Sequence, residues 1–127
     1  MKKSTKFSLY NRLKSFTYAI QGLQHLVKNE HNARIHIILA IIAIVIAYIL
    51  NVNYIEWALL FLVIGIVLTA ELFNSAIEKI ADIVDPEWNE KVKLLKDYSA
   101  AAVLIAAITS LIIGCIIFIP KLILLLL

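Results

Sequence analysis

Three long apolar stretches dominate the pattern of hydrophobic and polar positions along this chain. They run from Ile35 to Leu50, from Trp57 to Ala70 and from Ala100 to Ile119. The first and third approach the roughly 20 apolar residues that span a bilayer as a helix, and the second reaches that length if the turns after Glu71 are included. The pattern predicts an all-α membrane protein with three transmembrane helices, at about 33–50, 55–84 and 96–119.

The segment before the first apolar stretch has a helical period of its own. Its apolar residues recur at intervals of three and four, and polar residues occupy the other faces. This pattern predicts an amphipathic helix over about residues 5–30, lying in the membrane interface with its apolar side toward lipid. The segment is too polar for a cleaved signal peptide, so we expect the chain to be full length and to form one domain, 1–127. The apolar positions are Leu13, Phe16, Ile20, Leu23 and Val27.

Composition and charge add a membrane orientation. Of the 127 residues, 62% are hydrophobic, which leaves too few polar residues to cover a soluble core. Seven basic residues precede the first span, four lie between Lys79 and Lys96, and only Lys121 follows the third span. The positive-inside rule therefore predicts a cytoplasmic N-terminus and an outer C-terminus, with the Asn51–Glu56 connection outside.

Polar residues interrupt the helix predicted from the second apolar stretch. Glu71, Asn74, Glu78 and Asp82 lie within about 80° of one another on a helix. If the hydrocarbon begins near Trp57, Glu71 lies about 21 Å further along the axis, inside a layer of about 30 Å. A solvated surface helix explains Asp82 but not Glu71. An ionisable residue at this depth indicates a functional site.

The residue types at this level indicate phosphate and metal chemistry. Glu78 and Glu30 could bind Mg²⁺, which takes few protein oxygens together with phosphate oxygens. Glu71, which is deeper, could deprotonate or orient a hydroxyl at the depth of the lipid headgroups. Lys96 and Asp97 begin the third span at the same level.

Other kinds of site are excluded or weakly indicated. Gly22, Gly65 and Gly114 are too far apart to form a glycine-rich phosphate loop. Cys115 has no partner for a disulfide, and the three histidines lack the spacing of a zinc site. Any phosphoryl transfer would therefore use Mg²⁺, carboxylates and basic side chains from helices, and no nucleic-acid partner is expected.

Four segments resemble the motifs of the prokaryotic diacylglycerol kinase family, which includes undecaprenol kinases. The main signature, E-x-x-N-S-A-I-E-x-x-x-D, matches AELFNSAIEKIAD, and the Lys-Asp pair that opens the last span matches KDYSAAAVLI. The Asn-Glu element matches NEHNARIH, and the interfacial helix matches SFTYAIQGL. The resemblance covers about residues 11–115. It implies an ATP-dependent lipid kinase of the bacterial inner membrane, assembled as a homotrimer with active sites between subunits.

The resemblance also implies roles for individual residues. The catalytic base falls on Glu71, and Asn74 would orient the catalytic groups. Glu30 and Glu78 would bind Mg²⁺, while Arg34, Glu71 and Ala100 would contact the lipid. The predicted nucleotide contacts are Arg12, Tyr18, Glu30, Glu78, Glu87, Trp88, Asn89, Lys96 and Asp97.

Departures from the family pattern bear on the lipid substrate. Arg12 lies one place from the arginine that some members use for nucleotide. Ser99-Ala100 replaces the Gly-Ser of some members, which predicts the loss of a hydroxyl near the lipid. The NEHNARIH element is more similar to the undecaprenol kinase branch, and this favours undecaprenol over diacylglycerol.

Two other classes of protein would also place charge in a membrane helix. A proton-coupled transporter could use Glu71 alone, without Asn74, Glu78 or the Lys96-Asp97 pair, and it would not consume ATP. A scaffold protein would tolerate the loss of Glu71. ATP consumption in the presence of lipid alcohols distinguishes these classes from a lipid kinase.

Overall fold

The computed structural model describes residues 9–87 and 89–127, and all of the regular structure in these residues is helical. Three of its helices are long and apolar enough to cross a membrane, which confirms the predicted all-α membrane fold. The helices are α1 (Leu9–Asn29), α2 (His31–Ile49), α3 (Tyr54–Val84) and α4 (Glu90–Leu126).

The fourth helix extends beyond the predicted third span at both ends. At its start, Asn89 Oδ1 accepts a hydrogen bond of 2.9 Å from the Lys91 backbone N–H, so the helix begins at Glu90. At its end the helix continues through Pro120, although a proline removes one backbone hydrogen bond. Lys121 Nζ lies 3.0 Å from Glu56 Oε2, and this ion pair attaches the extension to the start of α3.

The predicted outer connection between α2 and α3 is a short, well-capped turn. Asn51 has a φ of 48°, a left-handed conformation that asparagine tolerates better than most residues. Asn53 and Glu56 form a capping box that begins α3. Beside the turn, an apolar cluster joins this turn to α2, α3 and α4; its buried members are Ala47, Val52, Leu60 and Ile117.

The first helix has the predicted amphipathic pattern, and its apolar stripe remains exposed in the chain. Leu13 and Phe16 are each 68% exposed, as expected for side chains that face lipid. Leu26, outside that stripe, is buried. The helix ends at Asn29, and the extended residue Glu30 (φ −101°, ψ 115°) separates it from α2. This break directs the Glu30 side chain toward α3.

Candidate active site

The polar face of α3 is held to α4 through Asn74. Its side chain is nearly buried, and its Nδ2 donates a hydrogen bond of 3.0 Å to Glu78 Oε1. Its Oδ1 accepts one of 2.7 Å from the Ser99 hydroxyl on α4. Ser99 Oγ also lies 2.9 Å from the Lys96 carbonyl oxygen, one turn earlier in its own helix. The amide therefore fixes the Glu78 carboxylate relative to both helices.

Glu30 reaches a neighbouring face of α3 and binds two of its side chains. Its Oε1 accepts hydrogen bonds of 2.8 Å from both Ser75 Oγ and Lys79 Nζ. Lys79 Nζ also lies 2.7 Å from Ser75 Oγ, so the three groups form a closed cluster. The hydrogen bonds from Lys79 and Ser75 favour the ionised carboxylate and lower the pKa of Glu30 below its ordinary value.

Glu71 lies deeper along α3 and is only 3% exposed. Nε2 of His36, on α2, lies 3.2 Å from its Oε1. The ring is close, but its N–H direction does not complete a hydrogen bond, and within the described residues Oε1 has no other donor. The predicted burial of Glu71 is therefore observed, and the side-chain nitrogen nearest to its Oε1 belongs to His36, the last residue of the NEHNARIH element.

The predicted nucleotide pair, Lys96 and Asp97, makes two separate contacts. Lys96 Nζ forms an ion pair with Asp82 Oδ1 on α3. Asp97 Oδ2 accepts a bond of 2.7 Å from Lys93 Nζ, one turn earlier in α4. Adjacent residues of a helix are about 100° apart, so only the lysine faces α3.

The other predicted nucleotide residues that the structure describes lie in the connection before α4 and on α1. Asn89 caps α4, and its Nδ2 also donates a bond of 2.9 Å to Asp85 Oδ2. Glu87 is exposed in the same connection, where its backbone N–H lies 3.3 Å from Asp85 Oδ1, and Trp88 lies outside the described residues. Arg12 and Tyr18 are exposed on α1.

Two of the predicted lipid contacts, Arg34 and Ala100, are exposed. The hydroxyl expected to be missing near the lipid is present one residue earlier, at Ser99, and it points to Asn74 instead. The expected loss of a hydroxyl at position 100 therefore stays a prediction. The rotation of about 100° between neighbouring helical residues places Ser99 against α3 and Ala100 at the surface.

The structure thus joins some predicted residues and adds others. Asn74 and Glu78 are in direct contact, and Glu30 reaches the same part of α3. The residues that sequence reasoning missed are His36, Ser75, Lys79 and Ser99. Ser75 and Lys79 each follow a predicted residue by one position and are four apart, a spacing that could have identified them as a second face.

A magnesium site at this level of the helices would depend on the carboxylates of Glu30 and Glu78. The described residues contain no group of three or more histidine, cysteine or acidic side chains that could bind a metal. Mg²⁺ bound with a nucleotide needs only one or two carboxylates, because phosphate and water oxygens complete its shell. Glu30 Oε1 already pairs with the Lys79 ammonium, which Mg²⁺ would have to displace from that oxygen. The chemistry of Glu30 and Glu78 fits a magnesium–nucleotide complex.

Comparison with known proteins decides the family. The model of the prokaryotic diacylglycerol kinase family matches residues 17–118. The chain belongs to this family. The sequence motifs therefore identified it correctly, and the chain is a lipid kinase of the membrane.

Several curated members of the family are similar to this chain over most of its length. It is 34% identical to the undecaprenol kinase of Bacillus subtilis over 94% of this chain and 98% of that protein. It is 36% identical to a diacylglycerol kinase of Synechocystis, over 88% of this chain and 65% of that protein. It is also 36% identical to the Escherichia coli K12 diacylglycerol kinase, over 82% of this chain and 85% of that protein.

Proposed function

We propose that this protein transfers the γ-phosphate of ATP to the hydroxyl of a membrane lipid alcohol, with undecaprenol as the preferred acceptor. One observation carries the choice of reacting groups: a buried Glu71 lies two turns deeper along α3 than Glu78, about 10.5 Å away along the axis. This order suits a lipid hydroxyl at Glu71 and a nucleotide near Glu78. Undecaprenol is favoured by the NEHNARIH element and by the similarity to the Bacillus subtilis enzyme.

In the proposed reaction the lipid hydroxyl oxygen attacks the γ-phosphorus. The new oxygen–phosphorus bond forms as the bond from the γ-phosphorus to the β,γ-bridging oxygen breaks, and ADP leaves. Glu71 accepts the hydroxyl proton. Positioning contributes as much as proton removal, because phosphoryl transfer passes through a loose transition state. Asn74 supplies part of that positioning by holding the Glu78 carboxylate against α4.

Glu30 and Glu78 would hold Mg²⁺ in this proposal, and the ion would neutralise phosphate charge when bound. Lys79 is already hydrogen-bonded to Glu30 and could turn to a phosphate oxygen. Lys96 lies at the same end of the helices and would add a second cation. Arg12, Tyr18, Asp97 and residues 87–89 remain proposed nucleotide contacts on the strength of the motifs.

The remaining proposals concern assembly and location. The motif resemblance supports a homotrimer with active sites between subunits, located in the bacterial inner membrane. The distribution of basic residues supports a cytoplasmic N-terminus and an outer C-terminus. The nucleotide residues would then be on the side where ATP is available.

The test is phosphorylation of undecaprenol and diacylglycerol, assayed in parallel with purified wild-type protein and Glu71→Gln. We expect faster turnover of undecaprenol by the wild type. Glu71→Gln should retain assembly and ATP binding but lose at least about a hundredfold in rate, the low end for loss of a general base. Glu56→Gln, at the opposite end of α3, is the matched control and should keep its activity.

Three outcomes would contradict parts of this proposal. Near-normal turnover by Glu71→Gln would remove the catalytic assignment. A comparable loss of ATP affinity would give Glu71 a structural or metal role. Faster phosphorylation of diacylglycerol by the wild type would overturn the choice of undecaprenol alone.

A further inference from the structure

A histidine beside the buried Glu71 has no role in the reaction as proposed. Glu71 Oε1 is inaccessible to solvent and has no hydrogen bond from any described residue. A buried polar atom left without a partner destabilises the fold, and more so if it is charged. The Nε2 atom of His36, 3.2 Å away, is the donor placed to satisfy it.

The surroundings of His36 strengthen such a contact. Its side chain is 22% exposed, and it lines an apolar cavity of about 600 Å³ between α2, α3 and α4. Most of the other lining residues are aliphatic, such as Leu39, Val67 and Leu111. Few polar groups compete for the ring there, and a hydrogen bond in apolar surroundings is stronger than one in water.

We propose that His36 is a positioning residue for Glu71. Its Nε2–H donates to Oε1 once the ring turns slightly, and the other carboxylate oxygen remains available to the lipid hydroxyl. A neutral imidazole with its proton on Nε2 is sufficient, so His36 neither gains nor loses a proton during the reaction. The inference rests on the proposed function, because it assigns His36 to the same site.

The test compares His36→Gln, which keeps an N–H donor near the position of Nε2, with His36→Leu, which removes it. We expect His36→Leu to lower kcat by about tenfold or more, since a hydrogen bond to a charged group contributes about 1.5–3 kcal/mol. The KM for ATP should not change. His36→Gln should recover most of the lost kcat, and His31→Leu, an exposed histidine on the same helix, should resemble the wild type.

A second comparison asks whether His36 acts through Glu71. In a Glu71→Gln background, His36→Leu should lower kcat by much less than it does in the wild type, because residues that act as a unit are not additive. The full loss in both backgrounds would overturn the proposal. Equal losses of kcat in His36→Gln and His36→Leu, in proteins with wild-type unfolding midpoints, would also overturn it. A normal kcat in His36→Leu would do the same.

These outcomes are distinct from failure of the proposed function. That failure would appear in the wild-type protein itself, as no phosphorylation of either lipid alcohol, and it would overturn this inference as well. An active wild type with an unaffected His36→Leu would overturn only the role of His36.

Discussion

At the scale of single residues, the site depends on carboxylates whose charge is balanced by specific neighbours. Glu30 is the clearest case outside the membrane spans, because Lys79 and Ser75 both donate to its Oε1. These bonds lower its pKa in the folded protein. A lowered carboxyl pKa means that the ionised form stabilises the fold, and that this stabilisation is lost as the pH falls through the folded pKa.

Glu30→Gln should therefore lower the unfolding midpoint at pH 7. The difference from the wild type should shrink as the pH falls below about 4.3, the ordinary pKa of glutamate, toward the lower folded value. Thermal unfolding in detergent at a series of pH values measures this. Glu87→Gln, in the exposed connection before α4, is the control and should show little difference at any pH. A difference for Glu30→Gln that does not vary with pH would mean that packing, not charge, accounts for it.

The sequence predicted Glu71, Asn74, Glu78 and Glu30 because each lies in a motif or at an unusual depth. It did not predict a role for His36, although this residue ends the NEHNARIH element, because its contact with Glu71 depends on how α2 packs on α3. The hydrogen bond from Ser99 to Asn74 was not predicted, for a similar reason. Its importance comes from which side of α4 faces α3, and the family motif does not state that orientation.

At the scale of elements, most of the tertiary contacts are made between α3 and α4. Polar contacts hold this pair at both ends: Lys121 with Glu56 near the start of α3, and Ser99 with Asn74 and Lys96 with Asp82 near the candidate site. The apolar pattern predicted both helices but not the extension of α4 through Pro120. Lys121, the residue after this proline, makes an ion pair with Glu56 that no local pattern indicates.

Ser99→Ala should loosen α3 from α4 at the candidate site, because Asn74 Oδ1 would lose its donor. We expect a loss of about 0.5–2 kcal/mol in unfolding free energy, the range for hydrogen bonds between helices in membranes. Denaturant unfolding in mixed micelles measures it. The matched control is Thr109→Ala, also on α4, whose hydroxyl donates to the Ile105 carbonyl of its own helix. Equal effects of the two variants would show that the Ser99–Asn74 bond does not join the helices.

At the scale of the whole molecule, α3 is longer than the hydrocarbon layer is thick, and this places the candidate site at the membrane boundary. Its 31 residues extend about 46 Å, whereas the hydrocarbon layer is about 30 Å thick. One end must therefore project beyond the hydrocarbon. Asp82 and Lys79 lie toward the end of the helix and are suited to water, while Tyr54 at the start fits an interfacial aromatic position. The polar end carries the proposed nucleotide residues, so its compartment decides whether ATP can reach them.

Labelling with a membrane-impermeant thiol reagent in intact cells tests this orientation. Single cysteines at Tyr54 and Lys91, both exposed in the structure, are introduced into a Cys115→Ala background. Tyr54 avoids the adjacent Asn53, whose side chain caps α3 and whose replacement would disturb the helix start. The positive-inside rule predicts labelling of Tyr54→Cys in intact cells, and of Lys91→Cys only after permeabilisation. The reverse pattern would place residues 79–97 outside, because α3 has to cross the membrane between the two labelled positions. The proposed kinase could not meet ATP there.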